Sequence, residues 1–414
     1  MKTTNKSGPA KVFHADLFGA RSEKYAFLLN NSLFTVSWEQ LHPAEPYYFF
    51  APKDFSAKHE YENGFLLTDL FVLNNSGIKT DRDSLFIDIN KERQIQKCKI
   101  LLSGSLPSAF IEQFRVEDSS SYKLTEKIKG KKFDERYIQS IIYRPYDYQW
   151  IYYDPTIISR PGFQTMQHML HDNWGLYVKR GFEDSDAPPV FCSNQLICMR
   201  AWSRPGSIGS EYLFPLYQYK EEFGKTTCRP NFRTELVNAI EEYLGAKMSE
   251  LESEDTFTAL QLMDYIYAVL HSTEYITKYR EFLKIEFPRV PFPHNLQKMK
   301  ALAALGKKLR LIHCMINPKE AGTIVVSGNL PVEIEKVSWK DDCVSLSKSF
   351  HIHGITRHLW DYYVGGYQPL QKWLKDRKGS VLNGSELSHY KQMVEAIKNT
   401  DMVIAEIDRE GYIC

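Results

Sequence analysis

Three short motifs contain residue types that bind phosphate, metal or a DNA base, and each lacks a residue that the chemistry requires. Gly224-Lys225-Thr226 ends like a phosphate-binding loop, but the glycine expected five positions earlier is Tyr219. His59-Glu60 begins like a zinc-protease helix, but the second histidine is replaced by Asn63. Ala187-Pro188-Pro189-Val190 has the wrong residue at both ends for the Asp/Asn/Ser-Pro-Pro-aromatic motif of amino-methyltransferases. The motifs therefore predict no catalytic residue in this chain.

The spacing of histidines and cysteines predicts neither a metal site nor a disulfide framework. His351 and His353 have no third ligand nearby in the sequence, and they alternate as residues of a strand do. The seven cysteines are scattered and form no Cys-x-x-Cys pair, which favours reduced and mostly buried thiols. We therefore expect no metal and no cofactor in this chain.

Composition and charge describe a folded, nearly neutral protein. The 414 residues suffice for two or three domains, with 43% hydrophobic and 25% charged residues. Because 52 Lys and Arg balance 51 Asp and Glu, affinity for nucleic acid must come from local patches. Binding by the isolated chain is then expected to be weak and sensitive to salt. The sequence has no membrane-length apolar run and no signal-peptide core, so we expect a cytoplasmic protein without membrane contact.

Two windows of the sequence concentrate positive charge. Residues 121–180 hold ten Lys and Arg, six Asp and Glu, and twelve aromatic residues, which suits a polyanion with bases that can stack. Residues 287–319 hold seven Lys and Arg and no acid, and on a helix Lys300, Lys307 and Lys308 would form a stripe facing phosphates. The alternatives are a sheet core with inward aromatics in the first window and a solvated helix face in the second.

Base-reading and phosphate-binding side chains are assigned from residue type and loop position. Arg, Asn and Gln carry paired groups that match guanine or adenine edges in the major groove, and Gly/Pro-rich loops project such side chains. The alternative is that they are only exposed to solvent. The candidates for contacts with bases are Arg160, Gln164, Asn194, Gln195 and Arg204. The candidates for contacts with phosphates are Lys129, Lys131, Lys132, Arg180, Lys307 and Lys308.

The elements that must position these residues indicate an α+β fold. We expect a central β-rich recognition domain with flanking helical segments and a small C-terminal β-meander plus helices. Strand–turn–strand is predicted over 65–90. The predicted helices are 20–30, 91–116, 164–170, 257–285, 295–313, 368–376 and 386–399. The expected domains are an α/β segment 1–120, a β-rich recognition core 121–230 and a helical and β-meander part 231–414.

Four strings stand in order along the chain: YRPYDYQWIYYD (143–154), FPLYQY (214–219), LMDYIYAVLHSTEYITKYREFLKIEFPRVPFP (262–293) and YYVGGYQPLQKWLKDRKG (362–379). Within the first string, Arg144 and Asp147 suit an ion pair that fixes the sheet. Together the four strings resemble the carboxy-terminal region of type ISP restriction-modification enzymes, and the opening KVFHADLFGARSEKYAFL and GIKTDRD (77–83) fit the same region. Related adenine-specific DNA methyltransferases share some of these strings.

The resemblance implies a target-recognition (specificity) region that binds double-stranded DNA at a short asymmetric site. In that family, methyltransferase, helicase-like and nuclease domains carry out adenine methylation and cleavage, and S-adenosylmethionine, ATP and Mg belong to those domains. Because their motifs are absent here, we expect a fragment or split subunit that is not an enzyme alone, with residues 1–120 abutting the methyltransferase. One alternative is the C-terminal half of an adenine-specific DNA methyltransferase, active only with its catalytic part. Another is a coupler that docks protein.

Overall fold

The protein was analysed as a computed structural model that describes residues 10–181, 188–203 and 211–412. The chain divides into two compact units, Met1–Lys58 and His59–Cys414. In the first unit the helix Arg21–Asn30 lies between two short antiparallel strands, Val12–His14 and Glu39–Leu41. The helix agrees with the one predicted over 20–30.

The described part of the second unit contains three four-stranded sheets with helices around them, which confirms the α+β fold class. Sheet 1 has the order Leu196–Ile197, Ile138–Arg144, Asp147–Tyr152, Ile87–Asp88. Sheet 2 has the order Asn75–Ser76, Glu211–Pro215, Gly175–Lys179, Val190–Ser193. Their strands are rich in β-branched and aromatic residues, which favour a pleated, buried surface.

The chain passes between sheets 1 and 2 at two neighbouring places. Val190–Ser193 belongs to sheet 2 and Leu196–Ile197 to sheet 1, so that only Asn194 and Gln195 connect them. Asn75–Ser76 likewise pairs in sheet 2, whereas Ile78 forms a parallel bridge with Cys198 beside sheet 1. Gly77 lies between these pairings, and a Cβ there would approach the backbone of Cys198 to 2.6 Å. The crossing therefore requires glycine.

Helices and small antiparallel pairs complete the second unit. Sheet 3 has the order Val325–Ser327, His351–His353, Cys343–Ser345, Ser338–Lys340. The predicted meander is thus a sheet in which the last strand along the chain, His351–His353, pairs with the first, Val325–Ser327. The remaining strand pairs are Phe65–Leu66 with Arg289–Val290, Tyr217–Glu222 with Lys225–Pro230, Lys247–Met248 with Thr256–Phe257 (parallel), and Val332–Glu333 with Val381–Leu382. The helices are Lys58–Glu62, Leu67–Leu70, Asp83–Phe86, Lys91–Leu101, Ser108–Phe114, Leu124–Ile128, Phe163–Met166, Thr234–Leu244, Ala259–Val269, Thr273–Leu283, Leu296–His313, Arg357–Asp361, Pro369–Lys375 and Gly384–Glu410.

Three predicted elements differ from the structure because local caps and turns interrupt the sequence pattern. The Tyr-rich helix predicted over 257–285 is two helices, since the Ser272 hydroxyl accepts a hydrogen bond from the backbone of Tyr275 and begins a second helix. The helix predicted over 91–116 is broken before Pro107. The strand–turn–strand predicted over 65–90 also contains two short helices.

The aromatic residues of the window 121–180 mostly face the interior. Tyr122, Tyr146, Tyr152, Tyr153 and Tyr177 are buried, and six others are partly buried. Phe163 alone among the twelve is exposed, at 44%. Of the two interpretations of this window, the sheet core with inward aromatics is therefore confirmed, and the aromatic stacking surface is wrong.

A buried ion pair joins two of the motif strings. The carboxylate of Asp147, in the turn of sheet 1, lies 2.7 Å from the guanidinium of Arg377, and both side chains are almost fully buried. The guanidinium also stacks on the Trp373 ring. The pairing of Asp147 with Arg144 suggested by the sequence is wrong, since Arg144 instead stacks on Tyr143.

A second buried polar network surrounds His313 at the end of its helix. The Tyr267 hydroxyl lies 2.5 Å from Nδ1 of His313, and Nε2 lies 3.0 Å from the hydroxyl of Thr400. Because that hydroxyl donates to a backbone carbonyl, it accepts from Nε2–H. In the neutral ring, Nδ1 then accepts the hydrogen bond that the Tyr267 hydroxyl donates. Burial lowers the pKa of His313 well below its ordinary value and that of the neighbouring His271 to about 4.

Stability is expected to fall as the solution is acidified below the ordinary histidine pKa. The unfolded chain binds protons at both histidines near pH 6.5, whereas the folded chain resists protonation until lower pH, so the free energy of unfolding drops in that window. Each histidine contributes about 1.4 kcal/mol per pH unit, so His271 and His313 together predict a loss of about 2–3 kcal/mol between pH 7.5 and 5.5. Urea unfolding at these two pH values measures the loss. Equal stability at both would contradict the neutral, buried histidines.

Most of the cysteine thiols in the described ranges are buried. Cys98, Cys192, Cys198 and Cys314 are free and buried, which agrees with the predicted mostly buried thiols, while Cys228 is exposed. Within those ranges no helix is long and apolar enough to cross a membrane. No cluster of three or more His, Cys, Asp or Glu suited to a metal ion is found in the same part of the chain.

Candidate nucleic-acid interface

The loop Ser159–Gln164, which we call the edge loop, extends sheet 1 by one further backbone pairing. Lys79 exchanges two 3.0 Å backbone hydrogen bonds with Arg160, and its neighbour Ile78 is bonded to Ile197. Arg160 thus has a fixed backbone at the outer edge of the extended sheet, and its side chain is exposed. This arrangement projects a guanidinium from a rigid position.

The second half of the edge loop is held by a glycine and a buried tyrosine. The Tyr153 hydroxyl donates a 2.8 Å hydrogen bond to the carbonyl of Pro161. Gly162 has a φ of 59°, in the left-handed region, and begins the helix Phe163–Met166. The turn exposes Phe163 and Gln164, so Arg160 and Gln164 are presented on one ordered loop.

The residues beside the edge loop make it cationic. Lys79 pairs with Arg160, Arg82 and Arg200 lie within three residues of the bridged positions, and the acids of the GIKTDRD string are Asp81 and Asp83. Burial opposes the ionisation of Asp81, but hydrogen bonds from Lys79 and Ser159 outweigh it and hold the pKa of the carboxyl below its ordinary value. Counting Arg160, these segments carry four cations and two acids; Lys79 is ion-paired with Asp81 at 2.6 Å, whereas Arg160 and Arg200 are exposed.

A lysine-rich turn is attached close to the edge loop. The helix Leu124–Ile128 is tied to the residues before Ser159, because Lys127 Nζ donates to the carbonyl of Ile158 at 3.0 Å. The turn after this helix contains Gly130 at a φ of 72° and exposes the predicted phosphate contacts Lys129, Lys131 and Lys132. Neighbouring elements therefore carry the lysines and the base-reading candidate Arg160.

Asn194 and Gln195 lie in the crossing between the sheets rather than on an open loop. Both are partly buried. The Gln195 side chain accepts a 2.6 Å hydrogen bond from Ser140, and its backbone is bonded to the Ser193 hydroxyl. The side-chain oxygen of Asn194 is buried without a hydrogen-bond partner. The contacts of Gln195 give it a structural role, and the assignment of both residues to base reading stays a prediction.

The other predicted contact residues lie apart from the edge loop or outside the described ranges. Arg180 is exposed just beyond the strand Gly175–Lys179. Lys307 and Lys308 are exposed on the helix Leu296–His313, and Lys308 forms a 2.7 Å ion pair with Glu406. Arg204 lies outside the described residues.

The cations Lys79, Arg82 and Arg200 were missed by reasoning from loop composition. The signal that was present is the string GIKTDRD, which alternates charge next to the glycine at the sheet crossing. Its pairing with Arg160 joins residues about eighty positions apart, which no local pattern reveals.

The family model of the Type ISP C-terminal specificity domain matches residues 69–406. The chain belongs to this family. The match covers the edge loop, the lysine-rich turn and all three sheets of the second unit. It confirms the family that the motif strings indicated. No curated protein matches the chain.

Three solved structures share the fold of this Type ISP specificity domain. The chain is similar to the ATP-dependent Type ISP restriction-modification enzyme LlaBIII bound to DNA, with a TM-score of 0.69 and 16% identity over 89% of this chain and 26% of that one. It is similar to a nuclease-deletion mutant of the Type ISP enzyme LlaGI in complex with a DNA substrate mimic. The TM-score is 0.69 and the identity 16%, over 96% of this chain and 33% of that one. The chain is also similar to DrdV in a DNA complex, with a TM-score of 0.73 and 16% identity over 96% of this chain and 43% of that one. It therefore spans less than half the length of each.

Proposed function

We propose that the chain is the part of a Type ISP restriction-modification enzyme that binds double-stranded DNA and selects the target sequence. The observation that carries the proposal is the specificity-domain family match over 69–406, together with a fold shared with three proteins in DNA complexes. Other domains of such an enzyme carry out adenine methylation and cleavage, and S-adenosylmethionine, ATP and Mg bind there.

Within this proposal the edge loop reads bases and the neighbouring lysines bind phosphates. Arg160 matches the O6 and N7 acceptors of guanine in a bidentate contact, and Gln164 matches adenine. Their rigid backbone supports the role, since a preorganised side chain loses less entropy on binding. Lys129, Lys131 and Lys132 neutralise phosphates and add affinity without sequence preference. The cations near the edge loop also support DNA binding by this side of the domain.

Replacing Arg160 with alanine is expected to weaken binding to the preferred duplex by about 10- to 100-fold, because one bidentate base contact contributes about 1–3 kcal/mol. Binding to a scrambled duplex of equal length should change far less. Titration of both duplexes with the full chain, followed by fluorescence anisotropy, measures the two losses.

Lys131→Ala is the matched control, because Lys131 is an exposed cation on the neighbouring turn. This variant should weaken binding to both duplexes equally, and the salt dependence of binding should fall by about one released ion. If Arg160→Ala also weakens both duplexes equally, the assignment of Arg160 to base reading is wrong.

The first unit supports a protein-docking role beside DNA recognition. Its helix Arg21–Asn30 buries none of its own residues. The described part of this unit also exposes Phe18, Leu29 and Phe34 at 82%, 86% and 98%. Surfaces this apolar mark contacts with another polypeptide. We place the methyltransferase domain there, in line with the segment 1–120 predicted to abut it.

A further inference from the structure

The two strands Tyr217–Glu222 and Lys225–Pro230 form a hairpin that projects into solvent. They pair over six residue pairs and are joined by the two-residue turn Phe223-Gly224. All residues from Lys220 to Arg229 are exposed, and Phe223 at the tip is fully exposed (104%). Both turn residues have positive φ, as tight hairpin turns require. An apolar ring is thus held at the end of a ribbon with no covering element in the described chain.

The two faces of this hairpin differ in charge. Residues directly opposite in an antiparallel pair share a face. One face combines the pairs Gln218–Arg229, Lys220–Thr227 and Glu222–Lys225, with three cations and one acid. At its base a cleft of about 530 Å³ is lined by Arg229 and Arg233 and by the acids Glu235 and Glu241, of which Glu241 is paired with Lys247. This cationic face is unlike the opposite one, which begins with Tyr217 and Tyr219.

The base of the hairpin is rigidly anchored through the opposite face. The buried amide of Asn173 donates to the carbonyl of Tyr217 at 2.9 Å and accepts from its N–H at 3.1 Å. The backbone N–H of Tyr219 donates to Nδ1 of His168 at 3.0 Å, and the Tyr219 ring stacks on His171 at 4.3 Å. The anchoring leaves the cationic face and the tip free to meet a ligand.

The anchor also relates the hairpin to the edge loop. The helical segment Phe163–Leu170 carries Gln164 near its beginning and the hairpin contact His168 near its end, one helical turn later. One short element therefore sets the position of the candidate base-reading side chain and of the ribbon.

We propose that this hairpin is an arm that lies along duplex DNA, with its cationic face against phosphates and Phe223 wedged between two base pairs. The proposal rests on the proposed DNA-binding function and deepens it. Two-stranded β-ribbons lie in either groove of duplex DNA. Apolar side chains that enter a base step from the minor groove unstack it and kink the duplex, so the wedge requires the arm to lie in the minor groove. The excess of cations on one face suits contact with phosphates, and the isolated Phe223 ring at the tip suits insertion into a base step.

The wedge is tested with Phe223→Ala and two pools of 30-base-pair duplexes, one fully paired and one with a single mismatch at varied positions. Because a mismatch lowers the cost of unstacking, the wild-type chain should bind the mismatched pool several-fold more tightly. Phe223→Ala should bind both pools alike. The matched control is Leu251→Ala, which removes an apolar side chain that is 79% exposed elsewhere in the second unit and should keep the preference.

The cationic face is tested with the double variant Lys225→Ala/Arg229→Ala. The slope of log affinity against log salt should fall by about one to two, since each phosphate contact contributes about 0.9. Lys336→Ala/Lys340→Ala removes the same charge from exposed positions at sheet 3 and should leave the slope unchanged.

The outcomes separate this inference from the proposed function. If the wild-type chain binds no duplex, the proposed function fails. If it binds and Arg160→Ala weakens the preferred sequence while the hairpin variants behave as wild type, only the arm is wrong. Hairpin variants that lose binding to the methyltransferase domain and keep full DNA binding would assign the ribbon to a protein contact and overturn the inference.

Discussion

Replacing Asp147 with alanine is expected to destabilise the folded chain by about 3–5 kcal/mol, because Arg377 would keep a buried charge without its counter-ion. The two side chains are 1% and 6% exposed, and the guanidinium is enclosed by the Trp373 ring. Water therefore cannot compensate for the lost carboxylate. The pair ties the turn of sheet 1 to the helix Pro369–Lys375, so the loss should spread across the second unit. Urea unfolding followed by circular dichroism measures it.

The control for this prediction is Glu406→Ala, which breaks an exposed ion pair with Lys308. Exposed pairs contribute about 0–1 kcal/mol, so this variant should unfold close to the wild type. Asp147→Ala/Arg377→Met should recover part of the single-variant loss, since no charge is then left buried. Equal losses for Asp147→Ala and Glu406→Ala would contradict the structural role of the buried pair.

Gly306→Ala is expected to destabilise the chain by about 3 kcal/mol, although alanine in a helix interior ordinarily stabilises by about 1 kcal/mol. At Gly306 the helix Leu296–His313 packs directly against the backbone of the helix Ala259–Val269. A Cβ there would lie 1.8 Å from the carbonyl oxygen of Asp264, so the helices must separate. Separation would also strain the buried pair between Asp264 and Arg310, whose atoms lie 2.6 Å apart.

Gly384→Ala provides the matched control at the first turn of the helix Gly384–Glu410. A Cβ there has no atom within 4 Å, so the substitution should be neutral or slightly stabilising. Thermal unfolding of both variants tests the difference in sign. If Gly306→Ala is as stable as the wild type, the two helices do not pack as closely as described.

Local pattern was sufficient for elements whose signals lie within the element itself. The helix Leu296–His313 follows apolar periodicity from an Asn295 cap, and the sequence predicted it within one residue. The short helix at 163–170 and the strands of the middle third were also expected. The Tyr-rich segment was harder, because apolar periodicity continues through the Ser272 cap and hides the break.

Long-range partners could not be predicted from the sequence. Asp147 and Arg377 are 230 positions apart, and the local alternative Arg144 seemed a sufficient partner. The inward direction of the aromatics likewise depends on which sheet face is covered. For the interface, residue type selected Arg160 and Gln164 and missed the cations that pair beside them. Composition also selected Asn194 and Gln195, whose place in the sheet crossing only the structure reveals.

Selection from a random duplex library with the purified chain tests the central claim most directly. Each round retains bound 30-base-pair duplexes at low salt and sequences them. If the chain selects target DNA, one short asymmetric sequence should be enriched, and Arg160→Ala should remove the base preference at one position of that sequence. Recovery of duplexes without any common sequence, or no retention of duplex at all, would contradict the account.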